Sequence, residues 1–193
     1  MRILAGSARG TRLLTDRGDT TRPLMGRART SLFDILQPRL AGSRFLDLFA
    51  GFGSVGLEAV SRGAAEVVLV ERDPKAAQLI RRNIEKLGFG AAARLAQADV
   101  FVELGRLARA QFEFDLIFAG PPYQRGLVGA LAASPELPRL LVRGGTLIVQ
   151  HSSREAPGDQ FGTLERVRRQ IYGDTELSFY AAAPQVLSLR GFV

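Results

Sequence analysis

Apolar and polar positions along this chain fall into a repeating order of short apolar runs and longer stretches with helical spacing. Runs at residues 45–49, 66–71, 114–118 and 145–150 predict buried strands, and a weaker run at 93–98 predicts another. Between them, residues 54–61, 73–87, 102–110 and 127–141 predict helices, the last interrupted by Pro135 and Pro138. Asp73-Pro74 reads as an N-cap followed by proline at the first helical position, and Gly88 as the stop. After residue 150 the alternation ends. Residues 164–171 and 176–182 flank Gly173-Asp174, a predicted hairpin turn. Ahead of the first long strand, residues 2–5 and 11–14 predict short strands around a basic turn, Gly6-Ser7-Ala8-Arg9-Gly10. Residues 15–23 are polar, and Arg22-Pro23 ends regular structure before a helix over 26–36, spaced on Ala28, Leu32, Ile35 and Leu36. Alternating strands and helices closed by a hairpin predict an α/β fold, its sheet mainly parallel with an antiparallel edge.

Composition narrows this picture. A length of 193 residues with 46% hydrophobic content fits one globular domain with a full core. No apolar run approaches the roughly 20 residues of a membrane span, and the first residues lack the apolar stretch of a signal peptide. A cytoplasmic location is expected. Cysteine is absent, which excludes disulfides, thiolate catalysis and cysteine zinc sites. With one histidine, a histidine-rich metal centre is not expected either.

The net charge is +7, and its placement is more informative than its size. Residues 1–44 hold nine arginines (Arg2, Arg9, Arg12, Arg17, Arg22, Arg27, Arg29, Arg39 and Arg44) against three acids (Asp16, Asp19 and Asp34). Six of the seven surplus charges therefore precede residue 45. Codon usage explains arginine over lysine but not this clustering. A basic extension over 1–44, ahead of a domain over 45–193, is the footprint of a phosphate-rich partner.

The chemistry concentrates where strands end. Residues 46–56 read Leu-Asp-Leu-Phe-Ala-Gly-Phe-Gly-Ser-Val-Gly, an apolar strand running into Gly51-x-Gly53-x-x-Gly56 and then a helix. This order cradles a nucleotide-like cofactor. Asp47, four positions before the first glycine, favours a cationic, amino-bearing ligand such as S-adenosylmethionine (SAM) and repels the pyrophosphate of NAD. Glu71 lies twenty positions after Gly51, where an acid accepts both ribose hydroxyls. Asp99 follows the third strand and fits either an adenine acceptor or the N-cap of the next helix. Gly120-Pro121-Pro122-Tyr123 follows the fourth strand, and Gln150-His151 the fifth. Such strand ends converge on one crevice.

Taken together, residues 46–58, Glu71 and the Pro-Pro-Tyr after Phe114-Asp115-Leu116-Ile117-Phe118 resemble a class I SAM-dependent methyltransferase. The opening Arg2-Ile3-Leu4-Ala5-Gly6-Ser7-Ala8-Arg9-Gly10, with Arg22-Pro23 before a basic helix, resembles the RsmD family, which methylates the exocyclic N2 of a guanine in 16S ribosomal RNA. The resemblance implies a Rossmann-like, mainly parallel seven-stranded sheet with a C-terminal antiparallel hairpin. It implies that the turn from Asp47 through Phe49, Gly51 and Gly53 to Gly56 holds the methionine part of SAM. Glu71, with Arg72 beside it, would bind the ribose, and Asp99 with Val100 the adenine. Tyr123 would stack on the target base and Pro121-Pro122 fix its loop. Arg2, Arg9, Arg12, Arg22, Arg27 and Arg29 would grip the RNA backbone, the partner being 16S rRNA or the small subunit and the enzyme a monomer. No metal is implied.

One departure stands out. The family carries Asp or Asn before Pro-Pro-Tyr, and this chain has Gly120. The alternatives left open are amino-methylation of another RNA or DNA base, a nicotinamide dehydrogenase, and an RNA-binding protein that keeps the fold without turnover.

Overall fold

The computed structural model describes residues 1–15 and 26–182. Six α-helices and eight strands follow in chain order among these residues. They are α1 (Gly26–Leu40), β1 (Arg44–Leu48), α2 (Gly56–Ser61), β2 (Glu66–Val70), α3 (Pro74–Leu87), β3 (Ala93–Ala96) and α4 (Val100–Arg109). Then come β4 (Phe114–Ala119), α5 (Leu127–Ala132), α6 (Glu136–Arg139), β5 (Leu141–Ser152), β6 (Gln160–Phe161), β7 (Leu164–Tyr172) and β8 (Thr175–Ala182).

The strands form one sheet in the order β3-β2-β1-β4-β5-β8-β7-β6. The first five are parallel, and β8 enters antiparallel beside β5. Strand order reverses at β1, which pairs with β2 on one side and β4 on the other. An open α/β sheet binds its ligand beyond the carboxyl ends of the strands at such a reversal. Asp47 sits there, opposite Leu69 of β2 and Phe118 of β4.

Both faces of the parallel part are buried, so its strands alternate between two apolar layers rather than between core and solvent. Phe45, Val67, Leu69, Leu116, Phe118 and Ile148 face the layer of α1, α2 and Ile80 of α3. Leu46, Leu48, Val68, Val70, Ile117, Leu147 and Val149 face the layer of α4, α5 and α6. By that parity Asp47 shares the face of Phe45, toward the start of α2.

The elements differ from the sequence expectation in several places. The short strands expected over 2–5 and 11–14 amount to one isolated bridge between Arg2 and Arg12, and α4 starts two residues earlier, at Val100. Three differences are larger. The sheet has eight strands, not seven, because the two-residue β6 pairs with β7. A strand this short carries no periodicity; Phe161 holds it by burying its ring 5.1 Å from that of Tyr180. The helix expected over 127–141 with interruptions at Pro135 and Pro138 is broken once, across Ala133-Ser134-Pro135 between α5 and α6; Pro138 lies inside α6, and Leu141 already belongs to β5. Finally, α1 continues one turn past the predicted end, through Pro38, where Leu40 is buried and Arg39 donates to Gly144 O at 2.7 Å.

The basic N-terminal segment is knitted into the same core. Arg2 and Arg12 form an isolated antiparallel bridge, and Ile3 and Leu13 are buried in the α1/α2 layer. Gly6 lies so close to α2 that an added Cβ would stand 1.7 Å from Ser61 O, which only glycine permits. Leu4 and Ala5 donate their N–H groups to the Glu58 carboxylate at 2.7 and 3.0 Å. The buried Asn83 side chain of α3 exchanges two hydrogen bonds with Leu14 and gives a third to Phe52 O.

Candidate active site

The loop after β1 turns sharply. Phe49, Gly51 and Gly53 all have left-handed backbones, with φ of 61°, 58° and 86°. Phe49 costs about 1 kcal/mol in that conformation and is held by packing against the α4/α5 layer. The glycines serve different ends. A Cβ on Gly53 would press on Leu57 Cδ1 at 3.0 Å, and one on Gly56 on Leu69 Cδ2 at 2.9 Å and Asp47 Oδ2 at 3.1 Å. These two let the loop lie flat on the core. A Cβ on Gly51 would meet nothing within 4 Å, so its side of the loop opens outward. That is the surface a cofactor can approach.

Each predicted acid braces the backbone around this opening. Asp47 is buried and its Oδ2 accepts from Gly56 N–H, the first residue of α2, at 2.7 Å. Burial pushes its carboxyl up to about 7; the Gly56 bond opposes this, and nearby Glu71 adds to it. A cationic ligand would restore the ionised form, since opposite charge favours it. Glu71 accepts from Gly51 N–H at 2.9 Å through Oε2 and from Asp73 N–H at 2.8 Å through Oε1. Each oxygen keeps a further lone pair for a hydroxyl donor. Asp99 is the N-cap of α4, its Oδ1 accepting from Phe101 N–H at 2.9 Å. Its Oδ2 lies 3.8 Å from the exposed Arg72 guanidinium, and Val100 beside it is buried in the α4 layer.

The Gly120 loop stands at the neighbouring strand ends. Gly120 N–H donates to Leu48 O at 3.2 Å, which extends the β1–β4 pairing to the rim. Pro121 is buried, Pro122 exposed and Tyr123 half-buried. The Tyr123 hydroxyl accepts from Gln150 Nε2 at 3.0 Å and lies 3.0 Å from Thr175 Oγ1. The phenol is thus pinned from β5 and β8. Sequence reasoning missed Thr175, since nothing local links it to Tyr123. His151 does not join this group. It is fully buried, with ring nitrogens 2.9 Å from Ser152 O and Ser178 Oγ, and burial lowers its pKa. A neutral histidine held on both nitrogens is structural here.

Of the arginines expected to meet RNA, Arg2, Arg9, Arg12 and Arg27 are exposed. Arg22 lies outside the described residues. Arg29 is a correction. Only 1% of it is exposed, its Nη2 donates to Arg2 O at 2.6 Å, and Nε and Nη1 have no partner among the described residues. It lies three residues before Leu32 and seven before Leu36, on the apolar stripe of α1, and so faces the core. The nearby Glu58 carboxylate opposes the lowering of its pKa by burial. Glu58 itself, not singled out from the sequence, is fully buried and is the hub that fastens residues 4 and 5 and Arg62 to α2.

Comparison with known proteins agrees with this geometry. Residues 1–181 match the model of the family described as conserved hypothetical protein 95. The "Putative rRNA methyltransferase YlbH" of Bacillus subtilis is 32% identical over 180 residues, 93% of this chain and 98% of that protein. Ribosomal RNA small subunit methyltransferase D of Escherichia coli is 35% identical over 128 residues, 66% of this chain and 63% of that protein. Among solved structures, a hypothetical protein of Thermus thermophilus superposes with a TM-score of 0.78 at 36% identity, covering 94% of this chain and 99% of the other. The "Putative methyltransferase yhhF" of Escherichia coli also gives 0.78, at 28% identity, covering 93% of this chain and 96% of the other.

Proposed function

The chain belongs to the RsmD family of SAM-dependent methyltransferases, and we propose that it transfers a methyl group from SAM to the exocyclic N2 of a guanine in 16S ribosomal RNA. The observation that carries this reading is one crevice at the reversal of strand order. Asp47 with the open side of Gly51 lies on one side of it, and the Gly120–Tyr123 loop on the other. A dehydrogenase has no use for an ionisable acid buried beneath its pyrophosphate loop, and Asp47 disfavours one.

The residues fit SAM. Asp47 presents a carboxylate whose second oxygen has no hydrogen bond among the described residues, suited to the charged methionine part. Gly51 and Gly53 bring backbone close to it. Glu71 accepts the ribose hydroxyls on its spare lone pairs, and Asp99 Oδ2, beside Arg72 and Val100, accepts from the adenine amine. Bound SAM supplies a methyl group made electrophilic by the sulfonium. The protein's part is then placement. Tyr123, its hydroxyl tied down, offers a ring face to a base splayed out of the RNA, and Pro121-Pro122 hold that ring at the end of β4. Arg2, Arg9, Arg12, Arg22 and Arg27 draw the phosphate backbone toward the crevice. With this reading go residues 1–44 as the RNA-gripping part, a monomeric enzyme and a cytoplasmic location. Among the described residues no helix is long and apolar enough to cross a membrane.

The test is transfer of labelled methyl from SAM to small ribosomal subunits lacking the modification, with nucleoside analysis of the product. N2-methylguanosine is expected. Failure to label subunits or naked RNA, with SAM binding demonstrated, would favour a binding protein that keeps the fold without turnover.

A further inference from the structure

An exocyclic amine is a poor nucleophile because its lone pair is delocalised into the base. An oxygen that accepts its N–H bonds draws that pair back onto nitrogen. Residue 120 has no side chain to supply such an oxygen, and one placed there would press on its neighbours. A Cβ built on Gly120 would stand 3.0 Å from Phe118 Cε1, tighter than ordinary contact, and 3.4 Å from Gln150 Oε1. The polar atom nearest that direction is therefore a side-chain carbonyl oxygen arriving from the neighbouring strand.

We propose that Gln150 is a catalytic residue, its Oε1 accepting a hydrogen bond from the target amine in the role that a side chain at position 120 cannot fill. This rests on the amine-methylation reading above. Register brings the two positions together: β4 and β5 pair Ala119 with Val149, so Gly120 and Gln150 are the next residues along. The amide's orientation is set by its other end. Nε2 donates to the Tyr123 hydroxyl, which is free to donate in turn to Thr175 Oγ1. With its nitrogen committed, the amide turns Oε1 to the Gly120 side, where it has no hydrogen bond among the described residues. Gln150 is buried to 8% exposure, but its Oε1 is not among the enclosed atoms and stays open to an incoming base. One network thus joins the ring that stacks the base to the oxygen that accepts from its amine.

The step balances simply. The amine lone pair forms the N–C bond as the C–S bond breaks, and the C–S pair returns to sulfur, leaving S-adenosylhomocysteine. The nitrogen's surplus proton passes to solvent. Gln150 orients the N–H and takes no proton.

The experiment compares the wild-type protein with Gln150→Ala and Gln150→Glu, measuring single-turnover methylation of the ribosomal substrate, SAM binding by calorimetry, and the pH profile of kcat. For Gln150→Ala, kcat is expected to fall by about 10²-fold, as for loss of one well-placed polar group in an active site. Its SAM Kd should stay within about twofold. Gln150→Glu keeps an acceptor of the same reach. It should retain most activity at high pH and gain an acidic limb that the wild-type profile lacks, because the ionised carboxylate is a stronger acceptor for the amine than the carbonyl that the protonated acid keeps. A glutamine with only a packing role would give no such limb. Gln150→Ala turnover within about twofold of wild type would overturn the proposal. So would a Gln150→Glu profile of wild-type shape, which decides the matter should Gln150→Ala fail to fold. A wild-type protein that binds SAM yet methylates no RNA would overturn the amine-methylation reading itself, whereas an active wild type matched by Gln150→Ala would sink this proposal alone.

Discussion

At the β1–β3 end of the crevice, every acid is tied to backbone close to it in the chain. Asp47 holds an N–H nine residues on, Asp99 one two residues on, and Glu71 one two residues on and another twenty back. At the β4–β5 end, the contacts join side chains far apart in sequence: Gln150 to Tyr123 across 27 residues, and Tyr123 to Thr175 across 52. The proposed cofactor cradle is therefore shaped by local turns and helix starts and is in place once β1, β2 and α2 pack. The end proposed to bind the base exists only when the C-terminal hairpin has closed on β5. This contrast predicts that substitutions at the first end act on cofactor affinity, and those at the second on turnover.

Asp47→Asn should give the largest effect at the cofactor end. The amide oxygen still accepts from Gly56 N–H, so the turn survives, but the charge proposed to meet the cationic cofactor is gone. Removing one member of such a buried charge pair costs about 3 kcal/mol, on the order of 10²-fold in SAM Kd. Stability should move the other way. Because the folded-state carboxyl is raised from 3.8 to about 7, the folded protein binds more protons than the unfolded chain between those values. Wild-type stability without cofactor then falls as pH rises through that window and levels off above it. The neutral asparagine escapes this loss. Its unliganded melting temperature should exceed that of the wild type at pH 8, by up to about 4 kcal/mol of stability on linkage grounds. Wild-type SAM affinity should itself increase as pH rises toward 7. A variant less stable than wild type at pH 8, or one that binds SAM as tightly, would break the account of Asp47.

Glu71→Ala comes next. It removes both the proposed acceptor for the ribose and the brace on Gly51, and calorimetry should find SAM bound about tenfold more weakly, about 1.5 kcal/mol. An unchanged dissociation constant would mean that the cradle is held without Glu71.

The same contrast explains what the sequence could and could not reveal. The β1–α2 turn was legible because three glycines, an apolar run and an acid sit within eleven residues. The bounds of α3 were legible because Asp73, Pro74 and Gly88 punctuate them, and the structure places the N-cap, first turn and left-handed stop on those residues. Thr175 and the orientation of Gln150 were not legible, since only tertiary pairing of β5 with β8 brings them to Tyr123. Arg29 was misassigned for a different reason. Its charge suggested a phosphate, while its position on the α1 stripe pointed to the core, and burial against the chain near Glu58 decided in favour of position. Among clustered basic residues, then, helical phase separates those that can reach a ligand from those that cannot.

That distinction sets the smallest effect. Arg9 and Arg12 are exposed on a hairpin whose shape depends on other groups: buried Ile3 and Leu13, the Gly6 contact with Ser61, and Lys86, which donates to Arg12 O at 2.7 Å. Arg2 is less suitable for the test, because its guanidinium also closes the turn by donating to Gly10 O at 2.9 Å. Reversing charge at Arg9 and Arg12 together should therefore leave the fold and SAM affinity unchanged while weakening RNA binding. The clearest reading is the salt dependence. Two lost phosphate contacts on single-stranded RNA should lower the slope of log K against log salt by about 1.4, so the variant and the wild type converge as salt rises. Equal slopes would place the RNA elsewhere on the protein and remove the phosphate-binding role from the N-terminal cluster. A loss of affinity that persists at high salt would instead point to a contact other than charge at this hairpin.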